Sequence, residues 1–200
     1  MRNNRVWKHV VKEGDSLVDA TCGNGNDTLA MVKMVAENSC RGRVYAMDVQ
    51  KIALENTFSL LDKELSTDEK ELVELSAICH CKMEEVVPTG VPVRLVAFNL
   101  GYLPGGDKTI VTTSETTLLA LEAAKRILAP QGLISIVVYV GHPGGRYTFF
   151  FLDCYNSFLL EEFEIVRAFA SELPVDNWIC CNLRLLNRPL APVLVFLFKR

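Results

Sequence analysis

Ser16-Leu17-Val18-Asp19-Ala20-Thr21-Cys22-Gly23-Asn24-Gly25-Asn26-Asp27-Thr28 is the stretch from which the rest of the chain can be read. The apolar run Ser16 to Ala20 follows the turn residues Gly14-Asp15 and enters a glycine-rich loop. Leu29, Ala30, Val32, Lys33, Val35 and Ala36 then continue with helical spacing. Strand, loop and helix in that order make a unit whose loop can cradle a ligand. Gly23 and Gly25 allow a tight turn and close backbone approach, and the helix that follows offers free N–H groups at its start.

Working outward, the pattern repeats. Arg43 to Met47 reads as a second strand ending at Asp48, with a helix from Ile52 to Leu65. Ser66 to Glu74 reads as connective, Leu75 to Cys79 as a third strand, and Val93 to Phe98 as a fourth, buried one. Ser114 to Leu128 is expected to be a helix capped by Ser114 and closed by Pro130 to Gly132. Leu133 to Val140 is almost wholly apolar, as a central parallel strand is. A helix within Phe150 to Ala170 precedes strands at Trp178 to Leu185 and Val193 to Phe198. The Asn187-Arg188-Pro189 turn between those strands is too short for a parallel crossover, so they should pair antiparallel. The expected fold is α/β and Rossmann-like, a mostly parallel sheet covered by helices on both faces, with ligands outside the carboxyl ends of the strands. Asp19 to Asp27, Asp48, Asn99 to Asp107 and Gly141 to Gly145 would converge at that edge.

The 200 residues suit a single domain, 1–200, and 50% hydrophobic with 22% charged residues is globular composition. A net charge of −3 gives no overall basic excess for phosphate binding, although a local basic patch is compatible with it. Seven cysteines, an odd number, fit thiols in a reducing compartment better than a disulfide framework. Cys79-His80-Cys81 lacks the second ligand pair that zinc sites use, so no metal is expected. No stretch is long and apolar enough to span a bilayer, and no targeting peptide is visible, which leaves cytoplasm or an organellar matrix (chloroplast or mitochondrion).

The glycine loop alone suits either a dinucleotide or S-adenosylmethionine. A dinucleotide fingerprint needs a third glycine three residues after Gly25, where Thr28 stands. Asp19 beside the glycines complements the ammonium of S-adenosylmethionine better than a pyrophosphate. Asp48, at the end of the second strand, is placed to accept hydrogen bonds from a ribose diol with either cofactor. Against these stand plainer readings: an ordinary turn, a loop-capping Asp19, a solvated Asp48. An NAD-dependent oxidoreductase is disfavoured by Thr28 and Asp19.

Asn99-Leu100-Gly101-Tyr102 resembles the Asn-Pro-Pro-Tyr motif of amino-methyltransferases. There, the Asn side-chain carbonyl and a neighbouring backbone carbonyl accept hydrogen bonds from the target amine, and the aromatic ring stacks on the base. Attack on a methyl group needs the amine lone pair free and in line at about 3 Å, so positioning supplies most of the catalysis. Here Leu and Gly replace both prolines, and a loop turn with a buried Tyr is the plain alternative. Leu103 to Lys108 extends the segment into a turn-rich lid candidate. Asp107 could hold or deprotonate a cationic amine or cap the turn, and His142 could bind substrate, act as a base or be structural.

At these segments, with Tyr45 to Gln50 and Gly141-His142-Pro143-Gly144-Gly145, the chain resembles the YtqB/MnmM family of class I methyltransferases, once grouped as rRNA methylases. The resemblance covers nearly the whole chain and implies a seven-stranded sheet with an antiparallel C-terminal strand. It implies S-adenosylmethionine over Asp19, Gly23, Asn24, Gly25, Asn26, Asp27 and Thr28, with Asp48 and Gln50 near ribose and adenine and Asn99 and Leu100 completing the site. It further implies methyl transfer to the aminomethyl nitrogen of 5-aminomethyl-2-thiouridine at the tRNA wobble position. Asn99, Tyr102, Asp107 and His142 would be the catalytic group, and Gly101, Gly105, Gly106, Gly144 and Gly145 would join them on the substrate side. The partner would be a tRNA anticodon loop, whose single-stranded bases are accessible without opening a duplex. Lys108, Lys125, Arg126, Arg146, Arg184 and Arg188 are candidate phosphate contacts, with solvated surface charge the plain reading for most. The alternatives are methylation of rRNA or a small molecule, or an inactive cofactor-binding module.

One segment departs from the family pattern. Excising Tyr147 to Leu160 would join Arg146 to Glu161-Glu162 and restore an acidic helix start, so 147–160 reads as an insertion. Its aromatic residues could lengthen a helix, cover a homodimer surface or promote aggregation.

Overall fold

One sheet runs through the molecule, for which a computed structural model describes residues 4–36, 42–139, 149–188 and 191–200. Its strands are β1 (Ser16–Asp19), β2 (Arg43–Asp48), β3 (Val73–Ala77), β4 (Val93–Asn99), β5 (Leu128–Val138), β6 (Trp178–Leu183) and β7 (Val193–Lys199). The order across the sheet is β3-β2-β1-β4-β5-β7-β6. All pairs from β3 to β5 are parallel, while β7 is antiparallel to both β5 and β6. The expected antiparallel C-terminal strand is therefore β7. The helices are α1 (Asn4–Trp7), α2 (Asn26–Val35), α3 (Lys51–Glu64), α4 (Thr67–Lys70), α5 (Ser114–Ile127) and α6 (Phe149–Glu172), with a 3-10 helix at His80–Glu85.

The apolar runs of the central strands are explained by burial on both faces. Side chains alternate across a strand, so Val18, Val96, Phe98, Ile134 and Ile136 enter one core with Leu121 of α5 and Phe163 and Val166 of α6. Leu17, Leu95, Ala97 and Leu133 enter the other, against Trp7, Leu61 of α3 and Met31, Val32 and Val35 of α2. Each large aliphatic side chain buried in this way contributes about 1.5–3 kcal/mol. From Glu162 onward α6 packs on the sheet, and the buried Glu162 carboxylate accepts a 2.7 Å hydrogen bond from Thr117 Oγ1.

Several boundaries differ from the sequence reading. The third strand begins two residues earlier, because pairing with β2 starts at Val44↔Val73. The preceding connection holds α4, capped by Ser66 and Glu69 in a reciprocal capping box. Thr113, not Ser114, caps α5, its hydroxyl accepting from Thr116 N. Pro130 to Gly132 does not close that helix. β5 begins directly at Leu128 and carries these residues in an irregularity, with Gln131 at φ 62° and the register to β4 shifted between Val93 and Leu95. Lys199 Nζ of β7 donates to the Leu128 and Lys125 carbonyls at 2.7 and 3.4 Å, satisfying acceptors at the end of α5. Among the described residues no helix is long and apolar enough to cross a membrane.

Candidate active site

The carboxyl ends of β1, β2 and β4 open into a cavity of about 380 Å³. The loop after β1 forms its floor and is held from within. Buried Asp19 accepts hydrogen bonds from Thr28 Oγ1 at 2.6 Å and Thr21 N at 3.3 Å, which ties the start of α2 to the end of β1. Gly25 has φ 81°, and a side chain there would bring Cβ to 2.9 Å from Thr57 Cα, so only glycine lets the loop close onto α3. Thr57 Oγ1 in turn donates to the Gly23 carbonyl at 3.0 Å. Burial, with Asp27 nearby, pushes the Asp19 carboxyl up to about 7.

Asp48 sits at the cavity wall, where its carboxylate accepts from Gly23 N at 3.2 Å and Gln50 N at 2.9 Å. Two backbone donors fix its direction, and its remaining lone pairs are available to hydroxyl groups. Asn24 joins two loops, donating to the Pro104 carbonyl at 3.2 Å and accepting from Asn56 Nδ2 at 2.9 Å. The backbone after β4 is equally constrained: Asn99 N donates to Thr21 Oγ1 at 2.7 Å, Leu100 N to the Val137 carbonyl at 2.9 Å, and Gly101 N to Thr112 Oγ1 at 2.8 Å. A bridge between Tyr102 and Val111 holds the segment as a short hairpin. Asn99 therefore reaches the cavity mouth from a fixed backbone.

Gly23, Asn24, Asn26, Asp27, Asp48, Gln50, Asn99, Leu100, Gly101 and Tyr102 line this cavity, as do Leu103 and Pro104. Asp19, Gly25 and Thr28 lie behind it and build the loop. Gly105, Gly106 and Asp107 are not brought to the cavity. Asp107 is exposed, and its carboxylate accepts from Thr109 N at 2.8 Å and Thr109 Oγ1 at 2.7 Å, hydrogen bonds that favour the ionised form and hold its pKa below the usual carboxylate value. It acts here as a turn cap. His142, Gly144 and Gly145, together with Arg146, lie outside the described residues. Among the other candidate phosphate contacts, Arg126 is paired with Glu84 at 2.7 Å, Lys125 with Glu122 at 3.6 Å, Arg184 stacks on Phe163, and Lys108 lies over the Tyr102 ring.

Sequence reasoning did not identify Val49, Ile78, His80, Thr112, Thr116 and Tyr139 as part of the cavity. Ile78 follows β3 at the ligand edge, and correct placement of that strand would have revealed it. His80 is buried edge-on against Phe98. Burial lowers it to about 4 against a hydrogen bond at the Thr116 backbone, and its Nε2 has no partner among the described residues. Cys79 and Cys81 are thiols with Sγ atoms 3.2 Å apart. Among the described residues no three His, Cys, Asp or Glu side chains converge as metal ligands.

The cavity fits a nucleoside with an amino-acid tail. Val49 and Ile78 give apolar walls for a planar base, Asp48 has free acceptor capacity beside them for a ribose, and the loop at Gly23 presents bare backbone. Fold and cradle together define a class I, S-adenosylmethionine-dependent methyltransferase. The family described as "Putative rRNA methylase" matches residues 44–199, and the chain belongs to that family. A protein from Arabidopsis thaliana named tRNA (mnm(5)s(2)U34)-methyltransferase, chloroplastic, is 60% identical over 197 residues, covering 98% of this chain and 67% of that protein. Two solved structures are also similar. One, a "putative rRNA-methylase" from Clostridium thermocellum, has a TM-score of 0.83 and 35% identity, covering 98% of this chain and 95% of that one. The other, a "putative methyltransferase" from Streptococcus mutans in complex with SAH, has a TM-score of 0.78 and 28% identity over the same shares.

Proposed function

We propose that this enzyme methylates the aminomethyl nitrogen of 5-aminomethyl-2-thiouridine at the wobble position of tRNA. The observation that carries the reading is the placement of Asn99, at the end of β4 on a backbone held by Thr21 and Thr112, beside the cofactor cradle. The name of the Arabidopsis relative supports the choice of substrate. When bound, S-adenosylmethionine supplies an electrophilic methyl group. The protein's own task is orientation. Asn99 and the backbone carbonyls beside it accept from the amine hydrogens, and Asp48 and Gln50 hold the nucleoside end of the cofactor. No covalent intermediate on the protein is required.

Incubating the purified enzyme with S-adenosylmethionine and tRNA bearing 5-aminomethyl-2-thiouridine, then analysing nucleosides by mass spectrometry, tests this. The expected product is the methylaminomethyl nucleoside. An unchanged wobble base, with methylated rRNA or a methylated small molecule instead, would replace the assignment. The name of the Arabidopsis relative favours a chloroplast over other compartments, and imaging of the tagged full-length protein decides that point.

We also infer a single domain over 1–200 in which 147–160 is inserted. The 24-residue α6 contains most of this segment, and its buried positions Glu162, Phe163, Val166 and Phe169 follow it. A protein lacking 147–160 should retain S-adenosylmethionine binding and cooperative unfolding; loss of both would show that the segment belongs to the core.

A further inference from the structure

A second cavity, of about 630 Å³, lies beside the cofactor cavity and lies within the range of ~300–1,000 Å³ typical of small-molecule sites. The two share Asn26, Asp27, Asn99 and Tyr139 as a common wall. Methyl transfer requires donor and acceptor to meet in line at about 3 Å, so an acceptor outside the cofactor cavity has to reach the methyl group across such a wall. Asp27 is in the first turn of α2, half-buried, and makes no hydrogen bond or ion pair among the described residues. By contrast, Asp19, Asp48 and Asp107 are all occupied by donors. On the far side of the cavity Arg188, in the β6–β7 turn, is exposed and in no ion pair among the described residues, whereas Lys33 is bound to Glu69 at 2.7 Å.

We propose that this second cavity receives the target nucleotide, with Asp27 binding the substrate ammonium and taking its proton and Arg188 holding an adjacent phosphate. The inference rests on the amine-methylating reading above. A protonated aminomethyl group pairs with the Asp27 carboxylate. As one N–H proton passes to Asp27, the nitrogen lone pair forms the new N–C bond while the S–C bond breaks and its electron pair stays on sulfur. The product is a secondary ammonium, and the proton leaves Asp27 for water. Burial raises the Asp27 carboxyl, which makes it a better proton acceptor than an exposed carboxylate. Arg188 lies where a single-stranded loop can lay its backbone while one base enters.

The test uses the intact enzyme saturated with S-adenosylhomocysteine and an anticodon stem-loop carrying 5-aminomethyl-2-thiouridine, whose thiocarbonyl can be photo-crosslinked. A crosslink on Leu185 or Pro192, which line only the second cavity, is expected; a crosslink on Leu103 to Ile110 overturns the proposal, as does failure of the stem-loop to bind. A crosslink in the second cavity without methyl transfer would remove the amine-methylating function and leave the nucleotide site standing. Where the wild type turns over, Asp27→Asn should keep S-adenosylmethionine affinity within about threefold and cut the single-turnover rate at least ~100-fold. A rate within about fivefold of wild type, or a parallel loss of cofactor affinity, overturns the role of Asp27. Arg188→Ala should weaken stem-loop binding about tenfold and reduce the salt slope by about one; unchanged binding and slope overturn the phosphate contact.

Discussion

The loop after β1 and the segment after β4 both contribute to the cofactor cavity, but they are organised in opposite ways. In the first, Asp19 and Thr28 bond to each other behind the cavity and Gly25 packs against Thr57, which locks the loop to α2 and α3. In the second, the structural hydrogen bonds come from the backbone of residues 99–101, received by Thr21, Val137 and Thr112, so the Asn99 side chain need not support the fold. A loop that spends its side chains on itself is a scaffold; one held by its backbone can spend its side chains on chemistry.

The largest effect should come from the scaffold. Gly25→Ala forces a Cβ against the Thr57 backbone at positive φ and should cost about 2–5 kcal/mol in denaturant unfolding, with loss of S-adenosylmethionine binding. If the variant is as stable as wild type, the loop is not the rigid member of the pair. Next, Asn99→Ala should lower turnover at least ~100-fold while cofactor affinity, measured by titration calorimetry, changes by less than about threefold. A matching fall in stability would erase the distinction between the two segments.

A smaller effect concerns pH. Asp19 is raised from 3.8 to about 7, so the folded state holds an extra proton between those values and stability falls as pH rises through that window. His80 is lowered from 6.5 to about 4, so the unfolded state holds the extra proton there and stability rises with pH from about 4 to 6.5. The two oppose each other, with Asp27 adding to the falling side. Asp19→Asn should therefore shift the slope of stability against pH upward between about 4 and 7, and His80→Gln should shift it downward between about 4 and 6.5, each by at most ~1.4 kcal/mol per pH unit relative to wild type. Identical slopes in both variants would exclude this account. The smallest effect is expected for Asp107→Ala, where turnover should stay within about threefold because its carboxylate serves Thr109. A hundredfold loss would move the outer half of the second segment into the chemistry.

The sequence made the scaffold loop legible because its signal is local: an apolar strand, two glycines and a helical period lie within twenty residues. The central strands were equally legible, since burial on both faces leaves a continuous apolar run. β3 was misplaced because it is an edge strand of mixed exposure whose limits are set by pairing with β2. Thr113 and Ser114 are both competent caps, and only the backbone geometry chooses between them. Motif reading located the cradle but could not tell that Asp19 faces Thr28. His80 and Tyr139 come from distant segments brought to one cavity by the crossovers, so no spacing along the chain announces them as neighbours.

The position of β7 has a consequence for how the chain is made. It follows β6 in sequence yet lies between β5 and β6 in space, contributing ladders to both. During synthesis β6 leaves the ribosome with no neighbour to join, and residues 178–183 stay an unpaired, partly apolar ribbon until 193–199 have also emerged. Joining of β6 to the sheet thus waits for β7, and a pause in translation that exposes β6 without β7 should be a hazardous moment for self-association of the nascent chain.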